Sequence, residues 1–250
     1  MFALARIGGR VLSFYLLAIA VVVVLTGIEI SRGAKLDNNR LINVQIWALR
    51  AALGFALFPL VALSMPVHLI DGRKLPFVLA FVIFLLAMDL GEYLFHRAQH
   101  SIPWLWKLHA LHHSDPDMNA TTTERHFWGD QFIKAVTIWP LAAFIVRPTA
   151  VVLLAYIFVS MWNYVAHSGL PLNFGKLSWL WNSPAYHRRH HSSLPEHYNS
   201  NYAALLPIWD VILGSYYRPD GMPPTGLDVR PDAIQALMWP MSADKRQSVR

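Results

Sequence analysis

The chain has no cysteine in its 250 residues. That excludes a disulfide framework, a thiolate metal site and an iron–sulfur cluster carried by this chain. Charge is also scarce: Asp, Glu, Lys and Arg make up 14%, against about 25% in soluble domains. Hydrophobic residues reach 55%, above the roughly 45–50% usual for soluble domains. A disordered or fibrous chain is thereby excluded, and a membrane is indicated. The 21 basic residues outnumber the 15 acidic ones, for a net charge of +6. They are scattered rather than clustered, so nucleic acid is not an expected partner. Positive loops beside anionic lipid account for them better. Strand signals are weak everywhere.

What the chain does have is long apolar runs. Residues 11–28 (VLSFYLLAIAVVVVLTGI) carry no charge and are long enough to span a bilayer. No small-x-small cleavage site follows, so the run reads as an uncleaved first span rather than a signal peptide. Glu29, Arg32 and Lys35 end it. A second apolar stretch runs from Leu41 to about Met65. Arg50 interrupts it and must snorkel or face protein, and Pro59 predicts a kink. After a polar turn at Asp71–Lys74, a third stretch begins at Leu75 and stays uncharged to Met88. It continues in helical register into Asp89, Glu92, His96 and His100. Residues 135–146 and 148–166, split by Arg147-Pro148, read as a helical hairpin dipping into the membrane, because the first is too short to span upright. Residues 196–217 are expected on the membrane surface. The tail from Arg218 is Pro-rich, and its last ten residues are expected to be disordered. The fold class that follows is an all-α integral membrane helical bundle. Its regions are N-terminal helices over 1–74, a histidine-rich catalytic part over 75–217 and a polar tail over 218–250.

Histidine is concentrated: eight of twelve fall in three boxes. These are His96-Arg-Ala-Gln-His100, His109-Ala-Leu-His112-His113 and His187-Arg-Arg-His190-His191. At this histidine frequency two HxxHH boxes arise by chance on the order of 10⁻⁴ to 10⁻³ times per such chain, so the false-positive risk is small. On a helix, positions i, i+3 and i+4 share a face, so each box projects two or three imidazoles together. Neutral imidazole suits iron, zinc and copper. Eight of them exceed what one metal needs, which predicts two metals. His167 ends the second hairpin helix, on the side of the boxes, and is a ninth candidate ligand. Asn163, one turn earlier, shares its face and could bind directly or through water. His126 and His197 lack paired spacing and are expected to be structural. His68 lies in the turn opposite the boxes. Asp89 and Glu92 lie on the face of His96, where a carboxylate could orient the ring or pair with Arg97 or Arg125.

The segments DLGEYLFHRAQH, LHALHHS, MNATTTERH, HRRHHS and NYAALLPIWDVILGSYY together resemble the fatty acid hydroxylase/sterol desaturase superfamily over roughly residues 75–217. The resemblance implies an integral membrane oxidoreductase. Two Fe²⁺ ions would be held by the boxes on the cytosolic side, and O₂ would be used to hydroxylate or desaturate a lipid or sterol-like substrate. The family often has a further HxxxH before its last box; here its first position is Asn163. The implied metal ligands are therefore His96, His100, His109, His112, His113, His167, His187, His190 and His191, with Asn163 added. No dinucleotide fingerprint, haem-attachment cysteine or cytochrome-like segment is visible, so electrons are expected from a separate reductase, ferredoxin or cytochrome. Arg6, Arg10, Arg73 and Lys74 fall on one face of the expected topology. Arg32, Lys35, Arg40, Arg97, Lys107, Arg125 and Lys134 fall on the box face. That modest excess favours boxes in the cytoplasm, with a bacterial inner membrane as the expected location. Two other classes compete. A membrane zinc hydrolase needs only about three histidines plus an acid or base. A non-catalytic metal-binding membrane protein, a transporter or sensor, should carry ligands within its spans.

Overall fold

A computed structural model describes residues 2–61, 68–147 and 150–242. Among them there is no strand, only the isolated bridges Ile70–Val146 and Ser192–Thr225. The chain is an all-α membrane bundle. Its long helices are α1 (Phe2–Ser31), α2 (Asn38–Val61) and α3 (Phe77–Ser101). The short α4 (Pro103–His113) follows. A broken pair, α5 (Asp130–Val136) and α6 (Ile138–Ile145), then leads to α7 (Ala150–His167). Three short helices complete it: α8 (Pro184–His190), α9 (Ile208–Leu213) and α10 (Ala233–Leu237). Pro148, the expected hairpin turn, the tail from residue 243 and the side chain of Pro59 lie outside the described residues.

Among the described residues two stretches are long and apolar enough to cross a membrane, Leu12–Ser31 and Phe77–Ser101. Each buries one side and exposes the other. Leu16, Val23 and Val24 of α1, and Leu79, Leu86 and Leu94 of α3, are all open. Water would penalise such continuous apolar surface; hydrocarbon does not. The inward side of α3 supplies Phe84, Leu85 and Met88 to a core shared with Ile138 and Ala142 of α6, Ala155 and Val159 of α7, and Leu205 and Leu206.

The hairpin does more than dip. At its tip Leu69 N–H donates to Phe144 O at 2.8 Å, Ile70 N–H to Ile145 O at 3.0 Å, and Arg147 N–H to Ile70 O at 3.0 Å. These bonds lie beside the start of α3, the end opposite His96 and His100. The hairpin therefore runs the depth of the bundle. The apolar count over 135–146 missed the polar first turn of α5, which is helical and stacks on α6 across a break at Thr137 (φ −120°, ψ −79°).

At the other end of the bundle a buried polar belt joins α1 and α2 to the box region. Glu29 Oε1 accepts from Ala120 N–H at 3.0 Å and Gly169 N–H at 2.8 Å. Its Oε2 pairs with Arg40 at 2.7 Å. Asn43 donates to Asp115 at 2.8 Å and accepts from Arg125 at 2.9 Å. Arg50 faces protein, pairing with Glu124 at 2.6 Å, and Tyr164 donates to the same carboxylate. A buried charge is tolerated when it is paired and fully hydrogen-bonded. Glu29 with Arg40 and Arg50 with Glu124 are so paired, whereas Arg125 is held by neutral oxygens of Ser114 and Asn43; together these contacts tie α1 and α2 to the box region.

Candidate metal centre

The three boxes and His167 come from α3, α4, α7 and α8 with its C-cap residue His191, and they meet at one end of the bundle. Nine histidines form two groups. One holds His96, His100, His109, His113 and His190; the other holds His112, His167, His187 and His191. Within each, one nitrogen per ring lies within 4.8 Å of all the others. The HxxHH boxes do not act as single faces. From α4, His109 and His113 enter the first group and His112 the second. From the third box, His187 and His191 enter the second and His190 the first. The reason is the helical angle: at about 100° per residue, i+3 and i+4 fall on opposite sides of i, so one box can serve two centres. The groups adjoin, with the rings of His113 and His191 stacked at 4.3 Å.

The spacing within the groups fits metal ions. In the first, His96 Nε2 and His109 Nε2 are 3.1 Å apart, His100 and His113 Nε2 are 3.1 Å apart, and His113 and His109 Nε2 are 3.2 Å apart. In the second, His167 Nε2 lies 3.1 Å from His112 Nε2 and 2.9 Å from His187 Nε2. Metal–nitrogen bonds of roughly 2.1 Å at right angles would put neighbouring nitrogens about 3.0 Å apart. Proton bookkeeping agrees. His167 Nδ1 donates to Asn163 O at 2.8 Å, so in the neutral ring Nε2 has only a lone pair. Two further nitrogens crowd that one lone pair, an arrangement a shared cation satisfies better than hydrogen bonds do. His190 Nε2 and His191 Nε2 are buried without a hydrogen-bond partner. Burial, reinforced by neighbouring rings, pushes His109, His112, His113, His187 and His191 well below the ordinary imidazole range. They are neutral, the form that ligates.

A sequence model of the fatty acid hydroxylase family matches residues 81–215, more than half of the chain and all of the boxes. The chain belongs to the fatty acid hydroxylase family. It is 36% identical to alkylglycerol monooxygenase of Xenopus tropicalis over 131 residues, covering 52% of this chain and 29% of that protein. It is 29% identical to an ornithine lipid hydroxylase of Rhizobium tropici over 145 residues, covering 58% and 44%. It is also 29% identical to a Δ7-sterol 5(6)-desaturase of Saccharomyces cerevisiae over 150 residues, covering 59% and 38%. The chain matches less than half the length of each. No solved structure matches it.

In this family member three of the nine rings, His96, His167 and His190, are aimed by main-chain carbonyls. His96 Nδ1 donates to Tyr202 O at 2.7 Å, and His190 Nδ1 to Ser200 O at 2.8 Å. Two buried carboxylates hold the segment bearing those carbonyls. Asp210 accepts from Tyr202 N–H at 2.8 Å, Ala203 N–H at 2.9 Å, Ser215 Oγ at 2.7 Å and the Tyr186 hydroxyl. Asp89 accepts from Leu205 N–H, Leu206 N–H and Trp209 Nε1 at 2.9–3.0 Å. Asp89 therefore pairs with neither Arg97 nor Arg125 and orients no ring directly. Glu92 takes Lys134 at 2.8 Å. Arg97 bonds the Tyr93 hydroxyl and Leu213 O instead, and Arg125 bonds Ser114 and Asn43.

The remaining candidates sit around the groups. Asn163 meets His167 through its backbone carbonyl. His126 stacks on His112 at 4.0 Å and 14°. His197 bonds Ser192 Oγ at 2.9 Å. His68 is at the far end, donating to Ala143 O at 2.7 Å.

Proposed function

We propose that this chain is an O₂-dependent membrane oxidoreductase that hydroxylates or desaturates a lipid or sterol-like substrate. His96, His100, His109, His113 and His190 would hold one Fe²⁺, and His112, His167, His187 and His191 the other. Two bound irons would supply the redox equivalents and O₂ activation needed to break an unactivated C–H bond. The observation that carries this reading is the pair of adjoining all-imidazole groups at the end of an apolar bundle. A hydrolytic zinc site needs about one metal and three histidines; nine neutral rings in two groups suit a redox pair better. The relatives' names, a monooxygenase, a lipid hydroxylase and a sterol desaturase, point the same way.

The chain's own part is positional. The carbonyls of Asn163, Ser200 and Tyr202 fix the tautomers of His167, His190 and His96, so each presents a lone pair inward. Packing from α3 and α7 keeps water from the bilayer side of the groups. The exposed apolar faces of α1 and α3 suit a substrate arriving from lipid. Electrons come from a separate reductase, ferredoxin or cytochrome. The α1–α2 loop, with Arg32 and Lys35, and Arg40 in the first turn of α2 lie at the metal end, and Arg73 and Lys74 at the other; this favours a cytoplasmic site in a bacterial inner membrane.

Anaerobic, reduced protein should bind about two irons per chain. Given a competent donor and membrane lipid, it should consume O₂ and yield an oxidised lipid. If the iron-loaded protein consumes no O₂ and changes no lipid under those conditions, the oxidoreductase reading fails and the zinc hydrolase takes its place. A reporter fused after residue 217 should behave as cytoplasmic; an exported reporter would overturn the orientation.

A further inference from the structure

Beside the five-histidine group lies a cleft of about 380 Å³, lined by Arg97, His100, Ser101, Asn199, Tyr202 and Ser215 among others. Its polar groups are unbalanced toward donation. Arg97 uses only Nη1 on the protein, giving to the Tyr93 hydroxyl at 2.9 Å and Leu213 O at 3.0 Å. Its Nε and Nη2 have no protein partner among the described residues, and no carboxylate pairs with it there. Asn199, which also lines the cleft, accepts through Oδ1 from the Tyr202 hydroxyl at 3.4 Å, and its amide nitrogen has no protein partner among the described residues. No acidic residue lines the space. An unpaired guanidinium fork with an amide donor at its side is matched to an oxyanion.

The approach to the cleft is apolar. At about 100° per residue, Leu79, Leu86, Leu94, Arg97 and Ser101 fall within one narrow face of α3. The three leucines are 46%, 38% and 50% exposed. The outward side of α9, Val211, Ile212 and Leu213, is open on the other rim. An apolar ladder thus climbs the bilayer-facing side of α3 and ends at a cationic fork one helical turn past Leu94.

We infer that this cleft is a headgroup site for an amphiphile with an oxyanion head, a phosphate or carboxylate, held by Arg97 and Asn199 with its chain laid along Leu94 and Leu86. The inference rests on the proposed function only for its consequence: such a lipid presents its head-proximal carbons to the His100 side of the metal centre.

Binding tests it without turnover. Protein in an uncharged maltoside detergent, with no reductant, is titrated with oleoyl lysophosphatidate and with monooleoylglycerol, which lacks the phosphate. Wild type should prefer the lysophosphatidate by about tenfold or more. Arg97→Gln should abolish the preference while leaving monooleoylglycerol affinity and metal content as they were. Arg97→Lys, which keeps the charge but not the fork, should recover part of it. Inorganic phosphate at the lipid's concentration should not displace the lipid. Equal wild-type affinity for the two lipids, an unchanged preference in Arg97→Gln, or displacement by phosphate alone would each overturn the site. If Arg97→Gln misfolds, Leu94→Asp is the second variant, and it should weaken both lipids alike by breaking the ladder; no effect on either would also overturn the site. Arg97-dependent binding in a protein that oxidises no lipid would break the proposed function alone. Lipid oxidation without the headgroup preference would break this inference alone.

Discussion

The five-histidine group borders a cleft at His100 and is only partly covered at His96. The four-histidine group is buried throughout, and the ring of His126 closes one side of it. Both draw on the same two HxxHH boxes, so the difference lies in what surrounds them. The open group has two rings aimed by carbonyls of one loop, at Ser200 and Tyr202. The closed group has one ring aimed from within its own helix, at Asn163. Under the proposed function the open group is the one that meets substrate, and the aim of its His96 and His190 rings depends on the loop at Ser200 and Tyr202. The closed group is a local product of α4, α7 and the third box. This contrast predicts that damage spreads differently from the two groups.

The largest effect should come from removing a ligand. His112→Ala leaves three rings in the closed group, and metal content should fall from about two per chain to about one, with turnover lost. His190→Ala leaves four rings in the open group, so its metal should weaken rather than vanish, yet turnover should again be lost. Elemental analysis with activity checks both, and His68→Ala, at the far end, should change neither. Full metal and turnover in His112→Ala would sink the shared-site assignment.

Stripping the metal should expose a steep acid lability. Burial holds His109, His112, His113, His187 and His191 well below the ordinary imidazole range and takes His190 down to about 4. In the unfolded chain the same rings titrate near about 6.5. The unfolded state therefore binds the protons first, and folding stability falls as pH drops from about 6.5 toward about 4. Each ring contributes up to about 1.4 kcal/mol per pH unit in that window. Thermal melts of metal-free protein should fall sharply across it. A flat profile would mean the rings are already charged or exposed in the metal-free fold.

A smaller and one-sided effect is expected at Asp210. It touches neither group, but it holds the loop whose Tyr202 carbonyl aims His96. Asp210→Asn should cost about 2–4 kcal/mol of stability, because buried N–H groups lose a charged acceptor. It should also weaken metal in the open group about 10–100-fold and leave the closed group unchanged. Chelator competition separates the two; equal loss from both would erase the proposed asymmetry.

The same asymmetry explains what could be read from sequence. The boxes and His167 were legible because helical spacing is local, and so were the long apolar helices. The division of each box between two groups follows from helical angle, but only once the positions of α3, α7 and the third box are known. The carbonyls of Ser200 and Tyr202 left no signal, because every residue has a carbonyl. Asp89 and Asp210 are visible as acids in apolar sequence, but each is held in large part by backbone amides, for Asp89 116 and 117 residues away. The hairpin's reach was hidden because its first turn is polar.

The smallest effect should be at Asn163, where two readings of one residue diverge. From its position one turn before His167 the side chain could bind directly or through water, and the family resemblance implies that it joins the ligands. The structure joins the two through the backbone carbonyl, which accepts from His167 Nδ1 at 2.8 Å. That bond survives any substitution that keeps α7 helical, and alanine is the best helix former. Asn163→Ala should therefore keep both metals and most of its turnover, while Asn163→Pro, which breaks the local helix, should disturb the closed group. If Asn163→Ala instead loses the metal of the closed group as His112→Ala does, the side chain is a ligand, and the closed group has five donors like its neighbour.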